Sequence, residues 1–124
     1  MHYDVQVRDY KDTLQACVDI GGVDLICTSP PYDDARTYSN DVAWRYEDYQ
    51  TLGDEIFKAL KPGGQVLLNL SGPVRDLRGL GSERSMTPFK VYLDWAERVG
   101  FRAMDMLAYA RNGSPGEYRG RFRQ

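Results

Sequence analysis

The sequence predicts an α/β fold whose sheet is mostly parallel and flanked by helices, on three observations. Two short apolar runs, Val23–Cys27 and Gln65–Leu70, have the length and near-continuous hydrophobicity of strands buried on both faces, as in parallel sheets. A stretch of helical period lies between them, with Tyr49, Leu52, Ile56, Phe57 and Leu60 recurring on one side. Glycine pairs, Gly21-Gly22 and Gly63-Gly64, stand where a helix would give way to each strand. At 124 residues the chain makes one domain, residues 1–124, able to bury roughly two-thirds of its unfolded surface.

In chain order, Tyr3–Arg8 alternates through Val5 and Val7 and reads as a short strand ended by Asp9-Tyr10. A helix follows, capped by Asp12 or Thr13, with Leu14, Cys17 and Val18 on one face. The run at Val23 is then a buried strand. Residues Asp33 to Asp48 are polar and aromatic and read as a loop over its end. Trp44 is expected to pack on its own domain rather than act as a lid. The helix from Tyr49 is ended by Lys61-Pro62-Gly63-Gly64 before the second strand. Residues 71–86 read as a Gly- and Arg-rich loop that brings Arg75, Arg78 and Arg84 to the carboxyl end of the sheet. Thr87 as N-cap and Pro88 at the first helical position open a helix with Phe89, Tyr92, Leu93, Ala96 and Val99 on its apolar face, closed by Gly100. Phe101–Ala110 is a last strand.

Composition narrows the function. His2 is the single histidine, which removes a His-based metal cluster or triad, and no metal is expected. Cys17 and Cys27 lie in apolar segments and read as buried thiols of a reduced, cytoplasmic compartment. No apolar run approaches the ~18–20 residues of a membrane span, and no secretory signal is visible. The net charge of −2 argues against a dedicated nucleic-acid coat. Its distribution is uneven, though. Residues 111–124 set Arg111, Arg119, Arg121 and Arg123 against Glu117, with Tyr118 and Phe122 interleaved. Such a tail suits contact with a DNA backbone, or is simply a solvated terminus.

The chemistry concentrates where the first buried run stops in Ser29-Pro30-Pro31-Tyr32. Two prolines without N–H groups end sheet pairing and force a turn, and open α/β sheets hold their ligands at the carboxyl ends of strands. An exocyclic NH2 on a planar base has its lone pair delocalised into the ring. To methylate it, a site must hold both N–H bonds while the nitrogen rehybridises. Ser29 Oγ and the Pro30 carbonyl supply acceptors, and Tyr32 supplies a ring on which a flipped base can stack.

Asp24-Leu25-Ile26-Cys27-Thr28-Ser29-Pro30-Pro31-Tyr32 resembles the catalytic motif of DNA amino-methyltransferases, an Asp, Asn or Ser followed by Pro-Pro and an aromatic residue. The Thr-Ser form is more similar to the cytosine-N4 than to the adenine-N6 subgroup. Leu60-Lys61-Pro62-Gly63-Gly64 before an apolar strand, and Gly100-Phe101 before the last one, resemble further features of that family in the same order. The resemblance implies a partial Rossmann-like class I S-adenosylmethionine-dependent methyltransferase fold. It implies Ser29, Pro30, Pro31 and Tyr32 as catalytic residues, Asp9, Tyr10 and Thr28 at the cofactor, and Arg75, Arg78, Arg84, Arg119 and Arg121 at DNA. For Asp9, capping of a turn is the competing role.

The departures are as specific. Arg8 stands where the family has glycine before the acid, no Gly-x-Gly follows any expected strand, and no target-recognition region is present. The chain is therefore expected to be the catalytic-motif half of a methyltransferase, with the strand at Leu25 and Ile26 left as an open edge. A second copy or a complementary methyltransferase half would cover that edge. Two other functions remain open: an amine or amide methyltransferase acting on a non-DNA substrate, and a non-catalytic remnant that binds nucleic acid or a partner.

Overall fold

A computed structural model describes residues 3–31, 44–70, 74–76, 79 and 82–107, with the backbone alone for 74–76 and 82–84. The elements are α1 (Tyr10–Asp19), β1 (Val23–Thr28), α2 (Tyr46–Ala59), β2 (Leu60–Leu68), β3 (Val74–Asp76), β4 (Ser82–Arg84) and α3 (Thr87–Asp94), which runs on into a π-helical turn, Trp95–Val99. The α/β expectation holds in its smallest form. β1 and β2 make a two-stranded parallel sheet, and β3 and β4 a separate antiparallel pair.

Asp9, rather than Asp12 or Thr13, caps α1, its carboxylate accepting from the Lys11 amide at 2.8 Å. Gly21 and Gly22, at φ 93° and 96°, take the left-handed turn into β1 that other residues resist. β1 and β2 pair Leu25 with Gln65, Ile26 with Val66, Cys27 with Leu67 and Thr28 with Leu68. Ahead of this regular stretch Val23 pairs with Leu60, so Lys61-Pro62-Gly63-Gly64 bulges out opposite Asp24 alone. A Cβ on Gly64 would stand 2.9 Å from the Lys61 carbonyl oxygen and 3.1 Å from that of Val23. The bulge closes only around glycine.

The core is built by helices on one face of the sheet. Leu14, Tyr49, Leu52, Ile56, Ala59, Val91 and Trp95 are buried together, and Ile26, Val66 and Leu68 pack against them from the strands. Each large apolar side chain removed from water here contributes on the order of 1.5–3 kcal/mol. Arg98 ties the π turn to α2, bonding Asp94 at 2.7 and 2.9 Å, Asp54 at 2.9 Å and the Gln50 carbonyl at 3.3 Å.

Several expectations are corrected. Tyr3–Arg8 forms no strand: Tyr3, Val5 and Val7 are 82%, 92% and 103% exposed. Alternation alone cannot hold a strand that has no neighbour to bond. Phe101–Leu107 likewise has no regular structure, although Phe101 packs on the core; residues 108–110 of that expected strand lie outside the described residues. The run at Val23 is buried on one face only, for Leu25 is exposed and Cys27 is an exposed free thiol while Cys17 is half-buried. Within the expected loop 71–86, Val74–Asp76 and Ser82–Arg84 are strands paired antiparallel. In sequence, Gly79-Leu80-Gly81 stands between these two strands. α3 begins at Thr87 with Met86 at its cap and buries Val91, the π turn buries Trp95, and Phe89 and Leu93 face solvent. Apolar residues surround that helix, and tertiary packing selected a different stripe from the one periodicity favoured.

Candidate functional site

Strand β1 delivers the chain to the elbow. Its last pair is Thr28 with Leu68, and the Asn69 amide donates to the Thr28 carbonyl at 2.9 Å to close the ladder. Pairing then stops at Ser29-Pro30-Pro31, where the prolines have no N–H to give. Ser29 is exposed, Pro30 buried and Pro31 half-buried, so the elbow is a rigid rim set into the carboxyl end of the parallel pair.

Tyr49, on the first turns of α2, is wholly buried, and its hydroxyl donates to the Pro31 carbonyl at 2.5 Å. Its ring meets Trp44 at 5.2 Å, and Trp44 meets Tyr10 at 5.7 Å. Trp44 is thus packed on its own domain, as expected. A continuous aromatic wall runs from Pro31 to the amino end of α1, where Asp9 and Tyr10 stand side by side. Burial raises the Tyr10 phenol above its usual 10.0, and the carboxylates of Asp9, Asp48 and Glu55 add to the shift. The phenol stays neutral there, a hydrogen-bond donor as well as a stacking surface.

Behind the wall, the Trp95 indole N–H donates to the Tyr49 backbone carbonyl at 3.0 Å. Gly53 makes the room: a Cβ there would lie 2.4 Å from Trp95 Nε1. The periodicity marked Tyr49 only as part of an apolar face. The sequence did carry two signals of more, a phenol among core positions, which needs a polar partner, and a glycine inside a helix, which calls for a packing reason.

Of the residues singled out from the sequence, Ser29, Pro30 and Pro31 lie together at the elbow, Thr28 is its half-buried last strand residue, and Tyr10 reaches it through Trp44 and Tyr49. Asp9 spends one carboxylate oxygen on the α1 cap. Arg75 and Arg84 lie on the paired strands β3 and β4, Arg75 opposite Glu83 and Arg84 opposite Val74. Tyr32, Arg78, Arg119 and Arg121 lie outside the described residues. Among the described residues no group of three or more His, Cys, Asp or Glu side chains is placed to hold a metal, and no helix is long and apolar enough to cross a membrane.

No protein-family model matches the chain, and no solved structure matches it significantly. It is 31% identical over 102 residues to the orphan methyltransferase M.BamHII of Bacillus amyloliquefaciens, a match covering 82% of this chain and 33% of that protein. The chain thus spans about a third of the length of the curated relative it matches. The two-stranded parallel sheet with flanking helices is compatible with such a relationship, and the likeness supports a methyltransferase family for this chain.

Proposed function

We propose that the chain carries the amine-holding elbow of an S-adenosylmethionine-dependent DNA amino-methyltransferase of Rossmann-like fold, acting on a flipped base at cytosine N4 in preference to adenine N6. One observation carries this: a Ser-Pro-Pro elbow at the carboxyl end of a parallel strand, its Pro31 carbonyl bonded by the Tyr49 hydroxyl, in a chain similar to a methyltransferase. Ser29 Oγ and the Pro30 carbonyl accept the two N–H bonds of the base, and Tyr32 stacks on its ring. Held in this way, the base nitrogen would be placed to receive a methyl group and to give up one N–H proton to solvent.

S-adenosylmethionine supplies the electrophilic methyl group when bound. The residues present fit part of it. Asp9 is exposed and keeps acceptor capacity beyond its single cap bond, and Tyr10 offers a partly exposed ring beside it. Thr28 lies at the adjoining strand end. No strand-to-helix glycine loop is found among the described residues to receive the rest, which accords with a share of one-third of the relative. A second copy or a complementary half would complete the pocket and cover the open edge of β1. Arg75, Arg78, Arg84, Arg119 and Arg121 would follow the DNA backbone.

Labelled S-adenosylmethionine, unmethylated DNA of mixed sequence and nucleoside mass spectrometry test the reading. In the complete enzyme that contains this part, N4-methylcytosine is the expected product, strongly reduced in Ser29→Ala, because removing one preorganised acceptor costs about 2.7–4 kcal/mol in the transition state. Transfer at the parental rate by Ser29→Ala would overturn the assignment. Calorimetry should give weak S-adenosylmethionine binding by the chain alone, and light scattering a species larger than the monomer. A sub-micromolar dissociation constant would refute the incomplete pocket, and a stable monomer at high concentration would refute self-association.

A further inference from the structure

We propose that Tyr49 is a positioning residue for the elbow, fixing the one backbone torsion that the two prolines leave free. The pyrrolidine rings lock φ at Pro30 and Pro31, and Pro31 restricts the residue before it. Neither constrains ψ of Pro31, because no third proline follows. That torsion sets where the Pro31 carbonyl points and in which direction the backbone leaves the elbow. The Tyr49 hydroxyl holds this carbonyl.

Tyr49 is well placed to do so because it is enclosed on every side. Its side chain is 0% exposed, its ring abuts Trp44, and its own carbonyl receives the Trp95 indole at 3.0 Å. Trp95 reaches that carbonyl only because position 53 is glycine. A run of contacts therefore leads from the π-helical turn through α2 to Pro31. A π turn displaces the side chains that follow it relative to an α-helix, and here it is anchored to α2 by Arg98, whose guanidinium bonds Asp54 and the Gln50 carbonyl. The elbow's direction is set by a residue that touches no substrate.

The inference rests on the elbow being the amine-holding site, but its test does not depend on activity. In the full chain with 13C-labelled proline, the Pro31 Cα–Hα order parameter is expected near the rigid-backbone value of ~0.85, and below ~0.6 in Tyr49→Phe. The backbone order parameters of Ile56 and Val91 should stay unchanged in that variant. An unchanged Pro31 would overturn the proposal, and so would equal loosening of Pro31 and the core, which would mark Tyr49 as merely structural. Should Tyr49→Phe fail to fold, the wild-type hydroxyl proton decides. A slowly exchanging Tyr49 resonance with a cross-peak to Pro31 is expected, and rapid exchange with solvent would refute the bond. Where the wild type transfers methyl groups, Tyr49→Phe should lower kcat by roughly ten- to a hundredfold with KM within about twofold. A complete enzyme, with its cofactor pocket filled out by the remaining part, that transfers none would sink the proposed function while the order parameters still judge Tyr49.

Discussion

The two faces of the parallel pair are made by the same strands and differ sharply. Ile26, Val66 and Leu68 lie against the helices, whereas Leu25 and Leu67, on those strands, are each 55% exposed beside the exposed Cys27. Both faces are apolar in composition; one is covered. Strands of parallel sheets are ordinarily sheathed by helices on both sides. Burial in β1 and β2 is therefore decided by what lies over them and not by the side chains themselves. The covered face also fixes the elbow through Tyr49, while the bare face carries no functional contact among the described residues.

The largest expected effect falls on the covered face. Ile56→Ala, at a site 0% exposed, should lose about 2–5 kcal/mol in a urea melt through the cavity it leaves. Gly53→Ala comes next. A methyl group 2.4 Å from Trp95 Nε1 forces repacking that typically costs about 1–3 kcal/mol, offsetting the ~1 kcal/mol by which alanine favours a helix. A more stable Gly53→Ala protein would show that Trp95 does not pack as described.

Acid should loosen the same helical layer more gently. The hydrogen bond from Arg98 holds the Asp94 carboxyl below its usual 3.8. Because the folded value is the lower one, its contribution is present above the unfolded value and fades as pH falls through the folded one, below about 4. Thermal melts between pH 6 and pH 3 should therefore show a shallower acid decline in Asp94→Asn than in the parent. Smallest of all, Leu67→Ala should change stability by no more than about 0.5 kcal/mol. A loss comparable to that of Ile56→Ala would mean that the second face is covered in solution.

What was legible in the sequence was whatever depends on near neighbours. The Val23 strand, the helix carrying Leu52 and Ile56 and the Gly100 stop stand where their residues put them, whereas Leu60, expected on the helix, opens β2 and Lys61-Pro62-Gly63-Gly64, expected as the turn between helix and strand, is a bulge within β2. Non-local pairing was not legible. Tyr3–Arg8 and Phe101–Leu107 have strand-like composition, but a strand exists only when another accepts its hydrogen bonds. The pairing of β3 and β4 was hidden for the opposite reason, the glycines and arginines of that stretch reading as loop while cross-strand bonds made the two strands regular. At the site, Ser29-Pro30-Pro31 could be read directly, because proline acts on its own backbone. Tyr49 could not, since its partner lies 18 positions away and nothing local names it.

The two tryptophans fall on opposite sides of this arrangement. Trp44 is half-buried between Tyr10 and Tyr49 beside the elbow, while Trp95 is buried with its indole N–H bonded to a carbonyl. With two such residues in the chain, the molecule carries its own pair of optical reporters. A soluble quencher should reach the emission of Trp44 first, and exciting tyrosine should feed energy preferentially to Trp44 from its flanking rings. Replacing either indole with phenylalanine would leave a single tryptophan, so ligand arrival at the elbow and melting of the helical layer can be followed as separate signals in two unlabelled variants.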